Sequence, residues 1–200
     1  MIATGNAGKL REFRSLLAGL PFELTSSAEL GLSLPAETGA TFLANALLKA
    51  RHAASLSGSA AVADDSGLEV DALGGAPGIY SARYAGLGAD DAANNAKLLH
   101  ALAGVPLERR GARYRCALVF IAGAADAKPL IAEADWQGFI LEAPRGGGGF
   151  GYDPYFWLPD LNQTAAELKP SEKNRLSHRG KALRVLREQL AGREQLATRP

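Results

Sequence analysis

Paired carboxylates, a serine, several turn glycines and an arginine lie together in residues 64–86, DDSGLEVDALGGAPGIYSARYAG. This segment follows a short apolar run, residues 60–63, that is typical of a buried strand. A strand that ends in two aspartates presents oxygen ligands at its carboxyl edge, where open α/β sheets bind their ligands, and hard oxygen ligands favour Mg²⁺. The pattern therefore predicts a metal and phosphate site. Taken alone, Asp-Asp-Ser-Gly is also typical of a turn in which these side chains bond nearby backbone amides.

A second group of candidate residues lies near the N-terminus. Residues 4–9, TGNAGK, combine a strand end, two glycines and a lysine at the start of a helix. Backbone amides at a helix N-terminus bind phosphate, and glycines allow a ligand to approach the main chain. The spacing before Lys9 is shorter than in a P-loop, and Leu10 stands where Ser or Thr would hold Mg²⁺. The pattern predicts a phosphate-binding loop, with an ordinary capped helix start as the alternative.

A third group combines aromatic, glycine and basic residues. It lies in three stretches of the sequence: GGFGYDPYFW at residues 148–157, EKN at 172–174 and SHRGK at 177–181. Phe150, which glycines flank, can lie flat against a base, and His178 and Arg179 can donate hydrogen bonds to a base carbonyl. Phe156 and Trp157 are more typical of a strand in the core. These stretches predict a site for a nucleotide base.

Composition narrows the class of protein. Two hundred residues with 47% hydrophobic content can bury a sizeable core, as one domain or as one domain with a second lobe. The single cysteine, Cys116, lies in an apolar run, so neither a disulfide framework nor a cysteine metal site is expected. No leader-like segment and no apolar stretch of roughly 18–20 residues is found, so we expect a cytoplasmic protein with no membrane partner. A net charge of +1 argues against a broad nucleic-acid surface.

Helix-like and strand-like segments alternate along the chain. Helices are predicted over residues 9–18, 41–56 and 90–102, the second from the helical spacing of its apolar residues, and a last helix is predicted with Ser177 as its N-cap. Strand-like runs cover residues 2–4, 21–26, 113–122, 130–141 and 155–158. This order predicts an α/β protein with a mixed sheet. Four consecutive glycines, residues 146–149, predict a hinge or lid, with an ordinary loop as the alternative.

In this order, the motifs TGNAGK, ETGATF, NALLKAR, ADDSGLEVDALGGAPGIYSARYAG, GGFGYDP, EKN and LSHRGKAL resemble those of the inosine and xanthosine triphosphate pyrophosphatase family. The resemblance covers nearly the whole chain. It implies a single two-lobed α/β domain over residues 1–200, with a long central mixed sheet flanked by helices and an active-site cleft between the lobes. It also implies a homodimer that uses Mg²⁺ to hydrolyse non-standard purine nucleoside triphosphates such as ITP, dITP and XTP. The products are the monophosphate and pyrophosphate, and the reaction keeps these nucleotides out of nucleic acids.

The resemblance also implies roles for individual residues. Asp65 would be the general base that activates water, and Glu37 and Asp65 would be the metal ligands, with Asp64 behind them. The phosphates would be bound by Thr4, Gly5, Asn6, Ala7, Gly8 and Lys9, with Lys173 as a further cation and Ser66 beside the substrate. The base pocket would be formed by Phe150, Gly151, Tyr152, Asp153, His178 and Arg179.

Purine selectivity would depend on the 6-position, where hypoxanthine and xanthine carry a carbonyl acceptor and adenine carries an amino donor. A donor such as Arg179 would then face the wrong partner in adenine, and a buried site can reject such a partner by roughly 10⁴-fold or more. The chain departs from the family at Ala44, where relatives commonly have a glutamate. We therefore expect Glu37 to carry more of the metal binding.

Three other functions are compatible with parts of the sequence. A general nucleoside triphosphatase that releases orthophosphate is the nearest one, and the identity of the product separates it from a pyrophosphatase. A nucleotide-binding regulator without turnover would use the same pocket with Asp65 badly placed as a base. A nucleic-acid-binding module would need the broad basic surface that the near-neutral charge argues against.

Overall fold

The structure is a computed structural model that describes residues 1–18 and 23–197. Helices and strands alternate along these residues, and the 20-residue α5 is the longest helix. The elements, in chain order, are β1 (Ile2–Ala3), α1 (Ala7–Leu16), α2 (Phe42–Ser57), β2 (Ala61–Val70), α3 (Asp91–Ala101), β3 (Gly111–Ile121), β4 (Leu130–Ile140), β5 (Phe156–Leu158), β6 (Gln163–Thr164), α4 (Pro170–Leu176) and α5 (His178–Ala197).

The strands form one six-stranded sheet in the order β1-β2-β3-β4-β5-β6. β1 is parallel to β2, with Ile2 opposite Val62, whereas β5 is antiparallel to both β4 and β6. The sheet is therefore mixed and carries flanking helices, which confirms the predicted α/β class. In the described part of the chain, no helix is both long and apolar enough to span a membrane.

The chain forms two compact units. Unit 1 contains the described residues up to Asp65, residues 116–134 and the described residues from Arg179 onward. Its core includes Ile2, Phe13, Cys116 and Leu183. Burial raises the pKa of the Cys116 thiol to about 12, so this cysteine is an inert core residue as predicted. The single-domain organisation and the cleft implied by the resemblance stay predictions.

Unit 2 contains residues 66–115 and 135–178. Its core includes Leu68, Leu98, Trp136 and Phe156, with the Trp136 and Phe156 rings 5.3 Å apart between centroids. The assignment of Phe156 to the core is confirmed because this side chain is fully buried.

Local sequence explains the helix that carries several candidate residues. α2 begins after Thr41, whose side chain accepts a hydrogen bond from the Ala44 amide, and ends at Gly58 in a left-handed conformation. This is the N-cap and C-cap chemistry that starts and stops helices. Its buried face includes Ala46 and Ala50, which allow close packing. The predicted helix over residues 41–56 is confirmed.

β2 corrects the sequence prediction for the segment that carries the aspartates. The strand was expected to end in the two aspartates, with a turn as the alternative, but β2 continues beyond both of them to Val70. Asp64 and Asp65 are buried inside the strand. Burial of carboxylates is possible here because cationic side chains from other elements contact them.

Two further elements differ from the predictions. Residues 21 and 22 of the predicted strand over 21–26 lie outside the described residues, and Ser26 forms only an isolated parallel bridge with Ile2. α4, with Pro170 in its first turn, was not predicted from the sequence. Ser177 ends α4 with its amide bonded to the Lys173 carbonyl and immediately precedes α5.

Candidate active site

Two cationic side chains of unit 1 contact the Asp64 carboxylate. Its Oδ2 atom lies 3.0 Å from Lys9 Nζ and 3.1 Å from an Arg179 guanidinium nitrogen, and the Arg179 guanidinium also pairs with Glu12. Burial would raise the pKa of this carboxyl, but the charges of Lys9 and Arg179 hold it well below its usual range. Asp64 is therefore ionised at all physiological pH values and is not a proton acceptor at neutral pH.

Asp65 has a different environment one residue later. Its Oδ1 atom accepts a hydrogen bond from Lys49 Nζ at 2.8 Å, and its Oδ2 atom accepts one from Asn45 Nδ2 at 3.1 Å. Burial raises the pKa of Asp65 above its ordinary value, against the opposing effect of Lys49. Burial would also lower the pKa of Lys49, but nearby carboxylates, including Asp65 and Glu37, raise it. Asp65 is thus the aspartate of the pair whose proton affinity suits a general base.

α2 holds a neighbouring segment, residues 33–39, that has no regular secondary structure. Three contacts do this: Asn45 Oδ1 accepts from the Gly39 amide at 2.7 Å, Lys49 Nζ donates to Glu37 Oε1 at 2.8 Å, and His52 Nε2 lies 3.1 Å from the Ser33 carbonyl oxygen. The three helix positions share one face because they are three or four residues apart. A Cβ at Gly39 would lie 2.7 Å from Asn45 Oδ1, so this close approach requires glycine.

The carboxylates of Glu37 and Asp65 both contact the ammonium of Lys49. Both have an oxygen 2.8 Å from Lys49 Nζ. Among the described residues, no group of three or more His, Cys, Asp or Glu side chains is arranged to hold a metal. Mg²⁺, however, usually takes one or two carboxylates and completes its shell with water and substrate phosphate. Two converging hard oxygen donors fit Mg²⁺ in their chemistry, although the ammonium of Lys49 now contacts both of them.

The N-terminal loop begins α1. Asn6 Oδ1 accepts from the Lys9 amide at 2.9 Å, and the Asn6 amide donates to Thr4 Oγ1 at 3.2 Å. Asn6 is therefore an N-cap, which confirms the capped helix start that was the alternative for TGNAGK. Gly5, Asn6 and Ala7 are exposed. Phosphate binding by residues 4–9 stays a prediction.

A second cluster forms around Asp153 in unit 2. Asp153 Oδ2 accepts hydrogen bonds from Lys173 Nζ at 2.5 Å and from the Phe150 amide at 2.9 Å, and Asp153 Oδ1 accepts one from the Tyr114 hydroxyl at 3.2 Å. Lys173 Nζ lies 4.6 Å from the centroid of the Phe150 ring. The His178 ring stacks on Tyr114 at 4.8 Å. The structure thus brings Phe150, Asp153, Lys173 and His178 together.

Tyr114 joins several members of this cluster. Burial, together with the charge of Asp153, raises the pKa of the Tyr114 hydroxyl well above its ordinary value of 10.0, so the hydroxyl stays a donor. The adjacent glycines pack closely: a Cβ at Gly149 would lie 2.1 Å from Asp153 Oδ2, and one at Gly148 would lie 2.8 Å from the Ala166 carbonyl oxygen. At least these two members of the glycine run are needed for close packing.

The remaining predicted residues have the following positions. Arg179 lies in unit 1 on Asp64 and Glu12, whereas its neighbour His178 lies in unit 2 on Tyr114. Ser66 follows Asp65 in β2 and is half-buried. The role of Arg179 in reading the base stays a prediction.

Sequence reasoning missed Asn45, Lys49 and Tyr114. The first two could have been found from a local signal, because both polar residues lie on the otherwise apolar buried face of α2. Asn45 is fully buried there, and Lys49 is 5% exposed. Buried polar side chains are retained where they have partners, and the partners here are Asp65 and Glu37.

Comparison with known proteins agrees over nearly the full chain. The model of the Ham1 family matches residues 1–189. A protein of Thioalkalivibrio sulfidiphilus named dITP/XTP pyrophosphatase is 55% identical over 193 residues, which cover 96% of this chain and 98% of that protein. A protein of Methylococcus capsulatus with the same name is 56% identical over 190 residues, which cover 95% of this chain and 94% of that protein.

Solved structures match as well. A HAM1 protein from Coxiella burnetii has a TM-score of 0.87 and 44% identity, covering 96% of this chain and 97% of that one. The Ham1 protein of Staphylococcus aureus has a TM-score of 0.83 and 38% identity over the same shares of the two chains.

Proposed function

Because the chain belongs to the Ham1 family, we propose that it hydrolyses non-standard purine nucleoside triphosphates, namely ITP, dITP and XTP, to the monophosphate and pyrophosphate. Curated relatives at 55% identity carry the name dITP/XTP pyrophosphatase. The observation that supports this function best is the buried Asp65, which Asn45 and Lys49 hold in one orientation. This reaction prevents the incorporation of altered purines into nucleic acids.

The proposed reaction breaks the bridge between the α and β phosphates. A water oxygen forms a new bond to phosphorus, its proton passes to an Asp65 carboxylate oxygen, and pyrophosphate leaves with the bridging electron pair. Burial raises the pKa of Asp65 above its ordinary value, which increases its affinity for the proton of water. Lys9 and Lys49 place positive charge in unit 1, where it can stabilise the charge that develops on phosphate oxygens.

Mg²⁺ is the proposed cofactor, and Glu37 and Asp65 would hold it. When bound, it neutralises phosphate charge and lowers the pKa of a coordinated water. This assignment is supported by the two carboxylates, which are hard oxygen donors and contact the same atom, Lys49 Nζ. Lys49, which contacts both carboxylates, would supply a further positive charge for the triphosphate.

The purine would be bound by residues of unit 2. Phe150 offers a ring face for stacking on the base. The His178 ring, which stacks on Tyr114 at an interplanar angle of 13°, carries a nitrogen that can donate a hydrogen bond to the base. A carbonyl at the purine 6-position matches such donors, whereas the adenine amino group does not. We extend the proposal to a cytoplasmic homodimer, which light scattering after gel filtration and cell fractionation would test.

The experiment that tests the function measures products and rates for the purified protein with Mg²⁺ and each of ITP, XTP, GTP and ATP. Pyrophosphate and orthophosphate are assayed separately. We expect pyrophosphate from ITP and XTP and little product from ATP and GTP. Orthophosphate from all four nucleotides would identify a general triphosphatase instead, and tight ITP binding without turnover would identify a regulator.

A further inference from the structure

The loop that carries Phe150 is tied to α3 through the backbone of Gly151. The Gly151 amide donates to Asp91 Oδ2 at 2.6 Å, and Asn95 Nδ2 donates to the Gly151 carbonyl oxygen at 2.9 Å. Asp91 and Asn95 are four residues apart, so their side chains leave the same face of α3. Asn95 Nδ2 also donates to the Asp91 carbonyl oxygen at 2.7 Å, which fixes the orientation of its amide. Both main-chain polar groups of one residue are therefore bound by a single helix.

The backbone conformation of Gly151 affects the residues on either side of it. Its φ angle is +63°, in the left-handed region that glycine adopts readily, and it separates Phe150 from Tyr152. The peptide planes on either side of Gly151 cannot rotate unless one of the two hydrogen bonds breaks. Since the plane that precedes Gly151 includes the Phe150 carbonyl, the clamp constrains the backbone from which the Phe150 side chain projects.

The loop is anchored on either side of this point. The Phe150 amide donates to Asp153 Oδ2 at 2.9 Å, and the Tyr152 hydroxyl donates to the Ser81 carbonyl oxygen at 2.7 Å. These contacts hold the ends of the segment, and the contacts at Gly151 hold its middle. The Phe150 ring is half-buried and has Lys173 Nζ 4.6 Å from its centroid.

We propose that Asp91 and Asn95 form a clamp on Gly151, the α3 clamp, that positions Phe150 for stacking on the purine. This inference rests on the proposed function. Asp91 and Asn95 are positioning residues, because they act through the backbone of the residue next to Phe150. Their effect should therefore be confined to binding of the base.

The chain offers a matched control at the next helix position. Asn94 is buried like Asn95, at 4% and 7% exposure, and it also makes two backbone hydrogen bonds. Its partners, however, are the Ala85 amide and the Ala82 carbonyl oxygen, which lie in another segment. Asn94→Ala removes the same atoms from the same helix and leaves the α3 clamp in place.

The test compares Asn95→Ala with Asn94→Ala in the full-length protein. It measures KM and kcat for ITP, and the affinity for inorganic tripolyphosphate by calorimetry as a probe that has no base. We expect Asn95→Ala to raise KM for ITP by about tenfold, the equivalent of about 1.4 kcal/mol, with kcat within about twofold and tripolyphosphate affinity unchanged. Asn94→Ala should show wild-type values for all three. Asp91→Ala, at an exposed position, should act like Asn95→Ala and serves as the second variant if Asn95→Ala does not fold.

A double-mutant cycle separates positioning from a general structural role. In a Phe150→Ala background, the effect of Asn95→Ala on KM should disappear, because the side chain that the clamp positions is gone. An equal rise in KM in both backgrounds would overturn the proposal, and so would weaker tripolyphosphate binding or identical behaviour of the Asn94 and Asn95 variants. Those results leave the proposed function intact if the wild type releases pyrophosphate from ITP. A wild type that neither binds nor hydrolyses ITP would overturn both.

Discussion

Replacing Lys49 with methionine would remove the ammonium that two carboxylates share. Lys49 Nζ lies 2.8 Å from both Asp65 Oδ1 and Glu37 Oε1. At an effective dielectric constant of about 20, one contact at this distance corresponds to about 6 kcal/mol before desolvation. The observed cost of breaking a buried pair by removing one partner is smaller, about 3–5 kcal/mol, because the removed charge no longer has to be desolvated.

We therefore expect Lys49→Met to lower the free energy of unfolding at pH 7 by about 3–5 kcal/mol. The melting temperature should fall by about 6–20 °C for a chain of this size. The pair of Arg14 with Glu29 provides the control, since its side chains are 46% and 47% exposed. Arg14→Met should cost no more than about 1 kcal/mol. Urea denaturation of both variants and the wild type measures the difference.

The pH dependence of this deficit gives a second test. Burial already raises the pKa of Asp65, and removing Lys49 removes the effect that opposes burial. A carboxyl whose pKa is higher in the folded state than in the unfolded state destabilises the fold above that pKa. The deficit of Lys49→Met should therefore shrink as the pH falls from 7 toward 4. Mg²⁺ should also restore part of the stability if Glu37 and Asp65 hold it, because a ligand that binds only the folded state stabilises it. A deficit no larger than that of Arg14→Met, or one that is constant with pH, would refute the reasoning.

Three further predictions concern single residues. Asp65→Asn should lower kcat for ITP by about 10²–10⁴-fold while nucleotide binding stays measurable, since the amide cannot accept the proton of water; near-normal turnover would remove Asp65 from the base role. Phe150→Ala should raise KM by about tenfold and lower kcat much less, if stacking binds substrate and transition state equally; an unchanged KM would assign Phe150 to packing alone. Glu29→Gln should lower the melting temperature at neutral pH and lose its effect toward pH 2. The hydrogen bond from the Ser26 amide, with further help from Arg14, lowers the pKa of Glu29 from 4.5 to about 2, so its stabilisation is present above 4.5 and is lost below. A melting-temperature difference that persists at pH 2 would contradict this assignment.

The sequence was sufficient for the elements whose pattern is local. α2 was predicted because its apolar residues recur at helical spacing, and the segment of α3 was also predicted to be helical. The structure adds that Thr41 and Asp90 cap these two helices with their side chains. α4 was missed because its seven residues, PSEKNRL, are mostly polar and have no apolar stripe. The mixed sheet followed from the order of strand-like and helix-like segments.

The candidate site could be predicted only as a set of residue types. The path of β2 through its two aspartates depends on Lys9 and Arg179, which lie 55 residues before and 115 residues after Asp64. Such distant charge pairs leave no periodic signal in a single sequence. Tyr114 was missed for the same reason, because its partner Asp153 lies 39 residues away. The local pattern around Asp64 favoured a strand end or a turn, and tertiary contacts determined the outcome.

The alternation of side chains along β2 has a consequence for changes in chain length. Neighbouring residues of a strand point to opposite faces, so Asp64 and Asp65 differ in environment although they differ by one position. Lys9 and Arg179 contact the first, and Asn45 and Lys49 contact the second. Inserting one residue between Ala61 and Asp64 would move Asp64 to the position that Asp65 now occupies, and deleting one would move Asp65 to the position of Asp64. Insertions or deletions in this part of β2 should therefore inactivate the protein as completely as loss of Asp65. Length changes in the loop between α2 and β2 should be tolerated far better.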